Sequence, residues 1–238
     1  MENIEVLKKW VEESENIVFF GGAGVSTESG IPDFRSVDGL YNQRYDYPPE
    51  TILSHSFYKQ RTEEFFRFYK DKMICTQAKP NKAHLKLAEL ERRGKLKAVI
   101  TQNIDGLHQE AGSKTVLELH GSTLRNYCTK CGKGYGIDKI LGAKGVPICD
   151  LCKGVVKPDV VLYEEGLDQE ILQKSVHFIR EADVLIIGGT SLAVYPAAGL
   201  INDYVGHKLV VINKSATPMD KRADLLIQGS IGEILGKL

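Results

Sequence analysis

Seven short apolar runs rich in Val and Ile punctuate the chain, at residues 17–20, 98–100, 116–119, 160–163, 184–187, 209–212 and 225–227. None alternates apolar with polar, as a strand with one wet face does. Unbroken runs suit strands buried on both faces of a parallel sheet. Between several of them the spacing becomes that of amphipathic helices. Ile4, Leu7 and Val11 share one helical face. So do His84, Leu87, Ala88 and Glu91, with Leu85 and Leu90 nearby, and so do Ile171, Leu172, Val176 and Ile179. Strands alternating with helices predict an α/β chain built on a Rossmann-like, doubly wound parallel sheet.

Two intervals break that rhythm. Residues 32–80 follow the first run and hold an aromatic, helix-like stretch at 57–73, with Phe65, Phe66, Phe68 and Tyr69. Residues 122–157 separate the third run from the fourth and hold four of the five cysteines. Structureless loops beyond ~12–15 residues are uncommon. Both intervals are therefore expected to be insertions that join into a smaller domain. The sheet domain would then comprise residues 1–31, 81–121 and 158–238, and a cleft between the two is the default ligand site.

The chemistry-bearing residues cluster at strand ends. Residues 21–35 read Gly-Gly-Ala-Gly-Val-Ser-Thr-Glu-Ser-Gly-Ile-Pro-Asp-Phe-Arg. Glycines after a buried strand let backbone approach a pyrophosphate, and a following helix supplies N–H donors. After the second run stand Gln102, Asn103, Ile104, Asp105, Gly106, Leu107 and His108, whose amides and carboxylate suit a carboxamide and ribose hydroxyls. His120 ends the third run in Glu118-Leu119-His120-Gly121, placed to act as a general base. His84 and His108 read as structural. Thr190 and Ser191 follow the fifth run and Asn213 and Lys214 the sixth, as a second nucleotide half requires.

The cysteines decide a metal. Cys128 and Cys131 are separated from Cys149 and Cys152 by 17 residues, within the spacing of a paired Cys-x-x-Cys zinc site. Four thiolates close a tetrahedral Zn²⁺, so the ion is structural and the insertion a zinc ribbon. Cys75 is left without a role.

Charge adds exclusions. Basic and acidic residues number 31 each, so the net charge is +0. That excludes a wholly basic nucleic-acid binder and an acidic tail. Locally, residues 125–157 carry seven basic and two acidic side chains. The first fifteen residues contain five Glu and lack the basic start and apolar run of a signal peptide. No run approaches the ~20 residues that span a bilayer. A cytoplasmic location with no membrane partner is expected.

These motifs together resemble the sirtuins, NAD-dependent protein-lysine deacylases, in a core-only bacterial form. The similar blocks run from Gly22 to Asn213. The resemblance implies NAD as co-substrate, one structural Zn²⁺, and acyl-lysine peptides or proteins as partners. It implies that Ala23, Gly24, Thr27, Phe34 and Arg35 hold the phosphates and ribose. Gln102 would hold the nicotinamide ribose, and Asn103, Ile104 and Asp105 the nicotinamide. Thr190, Ser191, Asn213, Lys214 and Ile231 would hold the adenosine half. His120 is the implied base, with Asn103 beside it in catalysis. Free lysine, nicotinamide and O-acyl-ADP-ribose are the implied products. The peptide would add as a strand between Val161, Tyr163 and Glu165 on one side and Ala193 and Val194 on the other. Tyr163-Glu164-Glu165 departs from the family's usual Phe-Gly-Glu. Tyr69 and Lys72 stand where succinyl-removing members carry Tyr-x-x-Arg, so acetyl-lysine is the expected main substrate.

Three other readings stay open. A dehydrogenase would need a GxGxxG fingerprint and an acidic ribose ligand ~20 residues on, and neither is present. A zinc-ribbon nucleic-acid binder would use the basic stretch, although nucleic acid is not the expected partner. Protein mono-ADP-ribosyl transfer is the third.

Overall fold

The computed structural model describes residues 2–34, 39–40 and 45–238. Six of the seven apolar runs form one parallel sheet. Its strands are β1 (Ile17–Gly21), β2 (Leu96–Thr101), β3 (Val116–Glu118), β7 (Val184–Gly188), β8 (Leu209–Asn213) and β9 (Leu225–Gln228), in the order β3-β2-β1-β7-β8-β9. Counted in their own chain order this is 3-2-1-4-5-6, the Rossmann arrangement. The chain winds outward in both directions from β1 and β7, which pair from Ile17↔Val184 to Gly21↔Gly188.

Successive residues of these strands enter opposite cores, which explains the missing alternation. Ile17, Phe19, Val99 and Ile186 pack on one face beneath Leu7, Val11, Leu87, Leu90 and Ile234. Those residues belong to α1 (Glu2–Glu13), α5 (Lys82–Arg92) and α9 (Ile231–Leu235). Val18, Phe20, Ile100 and Ile187 pack on the other face against Ile179 of α8 (Gln169–Glu181) and Ala198 and Ile201 of a 3₁₀ segment, Ala197–Asp203. The helices have clear starts. Asn81 caps α5 by accepting from the Ala83 N–H, and Asp168 caps α8 by accepting from Glu170 and Ile171.

The seventh run departs from its expected place. Residues 160–163 do not join the parallel sheet. β6 (Val156–Val160) pairs antiparallel with β4 (Gly121–Cys128), which also pairs with β5 (Gly134–Tyr135), in a separate three-stranded sheet. Val160 ends a strand of the small sheet, and residues 161–163 continue past it along the cleft, so an apolar run alone does not tell a sheet strand from a partly exposed wall. The 57–73 stretch is helical but broken. α2 (Pro49–Ile52), α3 (His55–Gln60) and α4 (Thr62–Phe68) lead into a π-helical turn, Tyr69–Met73.

The two insertions share one apolar core. Phe57, Tyr58, Phe65, Phe66 and Tyr69 pack with Cys128, Ile140, Cys149, Val156 and Val160. Phe65 stacks on Tyr69 at 5.6 Å and meets Phe66 edge-on at 5.3 Å. Ile140 comes from α7 (Asp138–Leu141). The fold is thus a Rossmann-like sheet with a smaller helical and cysteine-bearing unit beside it. Among the described residues no helix is long and apolar enough to cross a membrane.

Candidate active site

A cleft of about 1360 Å³ lies at the C-terminal ends of β1, β2, β7 and β8, where the strand order reverses. Open α/β sheets bind ligands there. Its wall includes Ala23, Gly24, Thr27, Phe34, Gln102, Asn103, Ile104, Asp105, His120, Thr190, Ser191, Asn213, Lys214 and Ile231. Of the peptide-side and acyl-side candidates, Val161, Tyr163, Glu165, Val194, Tyr69 and Lys72 also line it. Ala193 does not, while its neighbour Val194 does. Arg35 lies outside the described residues.

The turn after β1 is not the opening of an α-helix, as its glycines suggested. It makes two short 3₁₀ turns, Ala23–Val25 and Thr27–Ser29. Gly24 donates its N–H to the Gly189 carbonyl at 2.8 Å. A Cβ on Gly24 would sit 2.8 Å from that carbonyl oxygen, and one on Gly189 (φ +59) 2.4 Å from the Val25 nitrogen. Glycine is required here for two backbone turns to touch. Among the described residues nothing accepts the Ala23 N–H, leaving a donor at the strand end for an anionic oxygen.

Two motifs meet on one buried hydroxyl. Ser26 donates from Oγ to Asp105 Oδ2 at 2.6 Å and accepts from Asn103 Nδ2 at 3.1 Å. Asp105 Oδ1 accepts from the Leu107 N–H at 2.9 Å. Beside them Gln102 donates to Thr190 Oγ1 at 3.0 Å, tying the end of β2 to the turn after β7. Carboxylate, amide and hydroxyl are thus fixed around a pocket whose neighbours include Ile104.

His120 is half-buried on the cleft, with Nδ1 3.0 Å from the Gln102 carbonyl oxygen. A carbonyl only accepts, so Nδ1 carries the hydrogen and Nε2 keeps its lone pair. Burial holds the imidazole below the ordinary histidine range, and the bond to Gln102 offsets this in part. The neutral ring is therefore the resting form near pH 7, as a general base requires. Gly121 follows at φ +75, where a Cβ would meet the Asp159 carbonyl oxygen at 2.0 Å.

The wall opposite the 3₁₀ turns is extended and anchored. Val161 donates to the His120 carbonyl at 3.0 Å, and Tyr163 exchanges backbone bonds with Leu53 and His55. Glu165 is its hub. It accepts from the Leu162 N–H at 2.9 Å, lies 3.2 Å from the nearly buried Lys157 ammonium and bonds His55 Nδ1 at 2.8 Å. These partners hold its carboxyl below the usual range despite burial. Tyr69 is fully buried with its hydroxyl unpaired among the described residues, and Lys72 pairs with Asp71 at 3.1 Å.

The four paired cysteines converge away from the cleft. Their sulfur atoms all lie within 4.8 Å of one another, with Cys128–Cys152 at 3.3 Å and Cys131–Cys149 at 3.7 Å. No disulfide joins them. Tetrahedral Zn²⁺ with bonds of ~2.3 Å sets its sulfurs roughly 3.8 Å apart, so the set fits that ion. The Tyr135 hydroxyl donates to Cys149 Sγ at 3.0 Å.

The Sir2 family model matches residues 22–196, which span the glycine turn, His120 and the cysteines. This chain belongs to the Sir2 family. The chain is 61% identical to an NAD-dependent protein deacetylase of Clostridium acetobutylicum, over 99% of this chain and 97% of that protein. A Staphylococcus aureus protein of the same name is 42% identical over 99% and 98%. Among solved structures, a Sir2 with a p53 peptide and NAD⁺ superposes with TM-score 0.88 at 41% identity, covering 98% of this chain and 96% of that one. A Sir2 bound to acetylated peptide gives TM-score 0.88 at 38% identity, with the same coverage.

Within this Sir2 site, sequence reasoning passed over Ser26, Lys157 and Gly189. Ser26 stood inside a recognised motif, but a serine between Val and Thr carries no sign that it joins Asp105 to Asn103. Lys157 was counted as a surface charge, whereas it is 6% exposed and donates to the Val160 carbonyl as well as to Glu165. Its signal was placement next to Pro158 in an apolar stretch.

Proposed function

We propose that this Sir2-family chain is an NAD-dependent protein-lysine deacetylase. The observation that carries the reading is the neutral His120 on the cleft wall, beside the Ser26–Asn103–Asp105 cluster, with its carbonyl accepting from Val161 at the start of the anchored extended segment. Bound NAD⁺ supplies an ADP-ribose acceptor with nicotinamide as leaving group. Asp105 and Asn103 orient the nicotinamide carboxamide, and Gln102 the adjoining ribose. His120 Nε2 takes a proton from a ribose hydroxyl, while the Gln102 carbonyl stabilises the Nδ1–H of the cation that results. Ala23, Gly24, Thr27, Phe34 and Arg35 hold the phosphates. Thr190, Ser191, Asn213, Lys214 and Ile231 hold the adenosine half.

The acyl-lysine peptide adds as a strand between 161–165 and Val194. Among the described residues the backbone N–H groups of Glu164 and Val194 have no partner, which supports that placement. Acetyl-lysine is the main substrate. Lys72 attracts an acidic acyl group but lacks the planar fork that grips a carboxylate with two bonds.

The four cysteines hold one structural Zn²⁺ and the enzyme works in the cytoplasm. The sheet domain comprises 1–31, 81–121 and 158–238, and the smaller one 32–80 and 122–157, with the end of β6 through Val160 packing in the smaller unit's core. Nucleic acid is not a partner. Of the basic side chains at 125–157, Lys133 is spent on Asp150, Arg125 on Glu118 and Asp159, and Lys157 on Glu165. The test is the product. Incubation with NAD⁺ and an acetyl-peptide should give acetylated ADP-ribose by mass spectrometry, and His120→Ala should abolish it. Label on the protein in its place would mean ADP-ribosyl transfer and overturn the reading.

A further inference from the structure

We propose that Glu164 selects peptides carrying Lys or Arg beside the modified lysine. The proposal rests on the deacetylase reading and adds a substrate class to it.

Glu164 lies on the cleft wall between Tyr163 and Glu165 and adopts φ +75. That left-handed conformation strains any residue with a side chain. Strain of this kind persists where surrounding structure enforces it, and it gathers at ligand clamps. The enforcing contacts are visible. Glu164 Oε2 accepts from the Ser56 N–H at 2.9 Å and from Ser56 Oγ at 2.6 Å, at the start of α3. The carboxylate is therefore held in one place. These bonds keep the carboxyl below the usual range, so it remains ionised at working pH.

Glu165, the next residue, is matched by Lys157. Among the described residues Glu164 forms no ion pair, and its only neighbouring titratable partner is His55. The opposite wall offers no charge. Val194, Tyr195 and Pro196 line it. A peptide laid between the walls thus meets a fixed carboxylate that forms no ion pair among the described residues. An acidic flanking residue meets repulsion at the same point.

The experiment compares kcat/KM for acetyl-peptides differing only in the residues on either side of acetyl-lysine, with Arg, Ala or Glu at each. An exposed pair gives a modest effect, so Arg should exceed Glu by about fivefold. The ratio should shrink toward one at high salt, where such pairs are screened. In Glu164→Gln, whose amide oxygen still accepts from Ser56, the ratio should fall to about one, and in Glu164→Lys it should invert. Glu164→Gly, which relieves the backbone, should also lose the ratio. An Arg-to-Glu ratio equal in wild type, Glu164→Gln and Glu164→Lys would overturn the proposal and leave the deacetylase reading standing. Failure of the wild type to release nicotinamide with any acetyl-peptide would instead sink that reading.

Discussion

Ser26→Ala removes one oxygen and tests whether two motifs far apart in sequence act as one unit. The hydroxyl is 1% exposed and serves Asp105 Oδ2 at 2.6 Å and Asn103 Nδ2 at 3.1 Å. Losing a hydrogen bond to a charged group costs about 1.5–3 kcal/mol, and leaving a buried donor unsatisfied about 1–3 kcal/mol. Asp105 keeps its bond from Leu107, so the first loss is partial. A net loss of about 2–4 kcal/mol follows. At ~2–4 °C per kcal/mol for a chain of this size, the melting temperature should fall by roughly 5–15 °C. Differential scanning calorimetry measures that. Because Asp105 and Asn103 then lose their fixed orientation, kcat/KM for NAD⁺ should fall at least ~10-fold, equivalent to about 1.4 kcal/mol of transition-state stabilisation. A melt within 2 °C of wild type together with unchanged kcat/KM would refute the reasoning, since the hydroxyl would then hold nothing.

Other consequences are equally direct. Gly121→Ala should cripple folding or turnover, because its Cβ would meet the Asp159 carbonyl at 2.0 Å. Gly112→Ala, at φ +105 with open space around it, should cost only the backbone strain, about 1–2 kcal/mol by urea titration. His84 and His108 lie 4.7 Å apart in the core, with burial pushing them down to about 4 and about 3. Below the unfolded value of ~6.5 the unfolded chain binds more protons than the folded one, so stability falls as pH drops. Each should cost about 2 kcal/mol at pH 5 relative to pH 7, and His108→Leu should remove about half of the fall in the urea midpoint across that window. Removing the metal with a chelator should lower the melting temperature, since a closed four-thiolate site contributes folding energy; an unchanged melt after full metal loss would contradict it.

The sheet was legible because its strands are buried on both faces and say so in unbroken Val and Ile. The same signal misplaced residues 160–163: Val160 is buried in a strand of the small antiparallel sheet, and the rest of the run lines the cleft with Tyr163 half-exposed. The zinc site was legible because four ligands at fixed spacing have few other uses. Asn103, Asp105 and His120 could be located by their strand ends. What sequence could not show was pairing across the fold. Nothing near Gly24 announces Gly189, which lies in a turn 165 positions later and touches it through backbone. Nothing near Glu165 announces Lys157 and His55 as its partners. Glycines after β1 suggested a helix start, and the chain instead turns twice in 3₁₀ form, because Gly24 is tied to the neighbouring turn.

The central claim is that the cleft couples NAD⁺ cleavage to a bound acyl-lysine. Nicotinamide release measured with and without an acetyl-peptide tests it most directly. The account predicts release that depends on the peptide and matches free lysine mole for mole. Equal release without any acyl-peptide would contradict it.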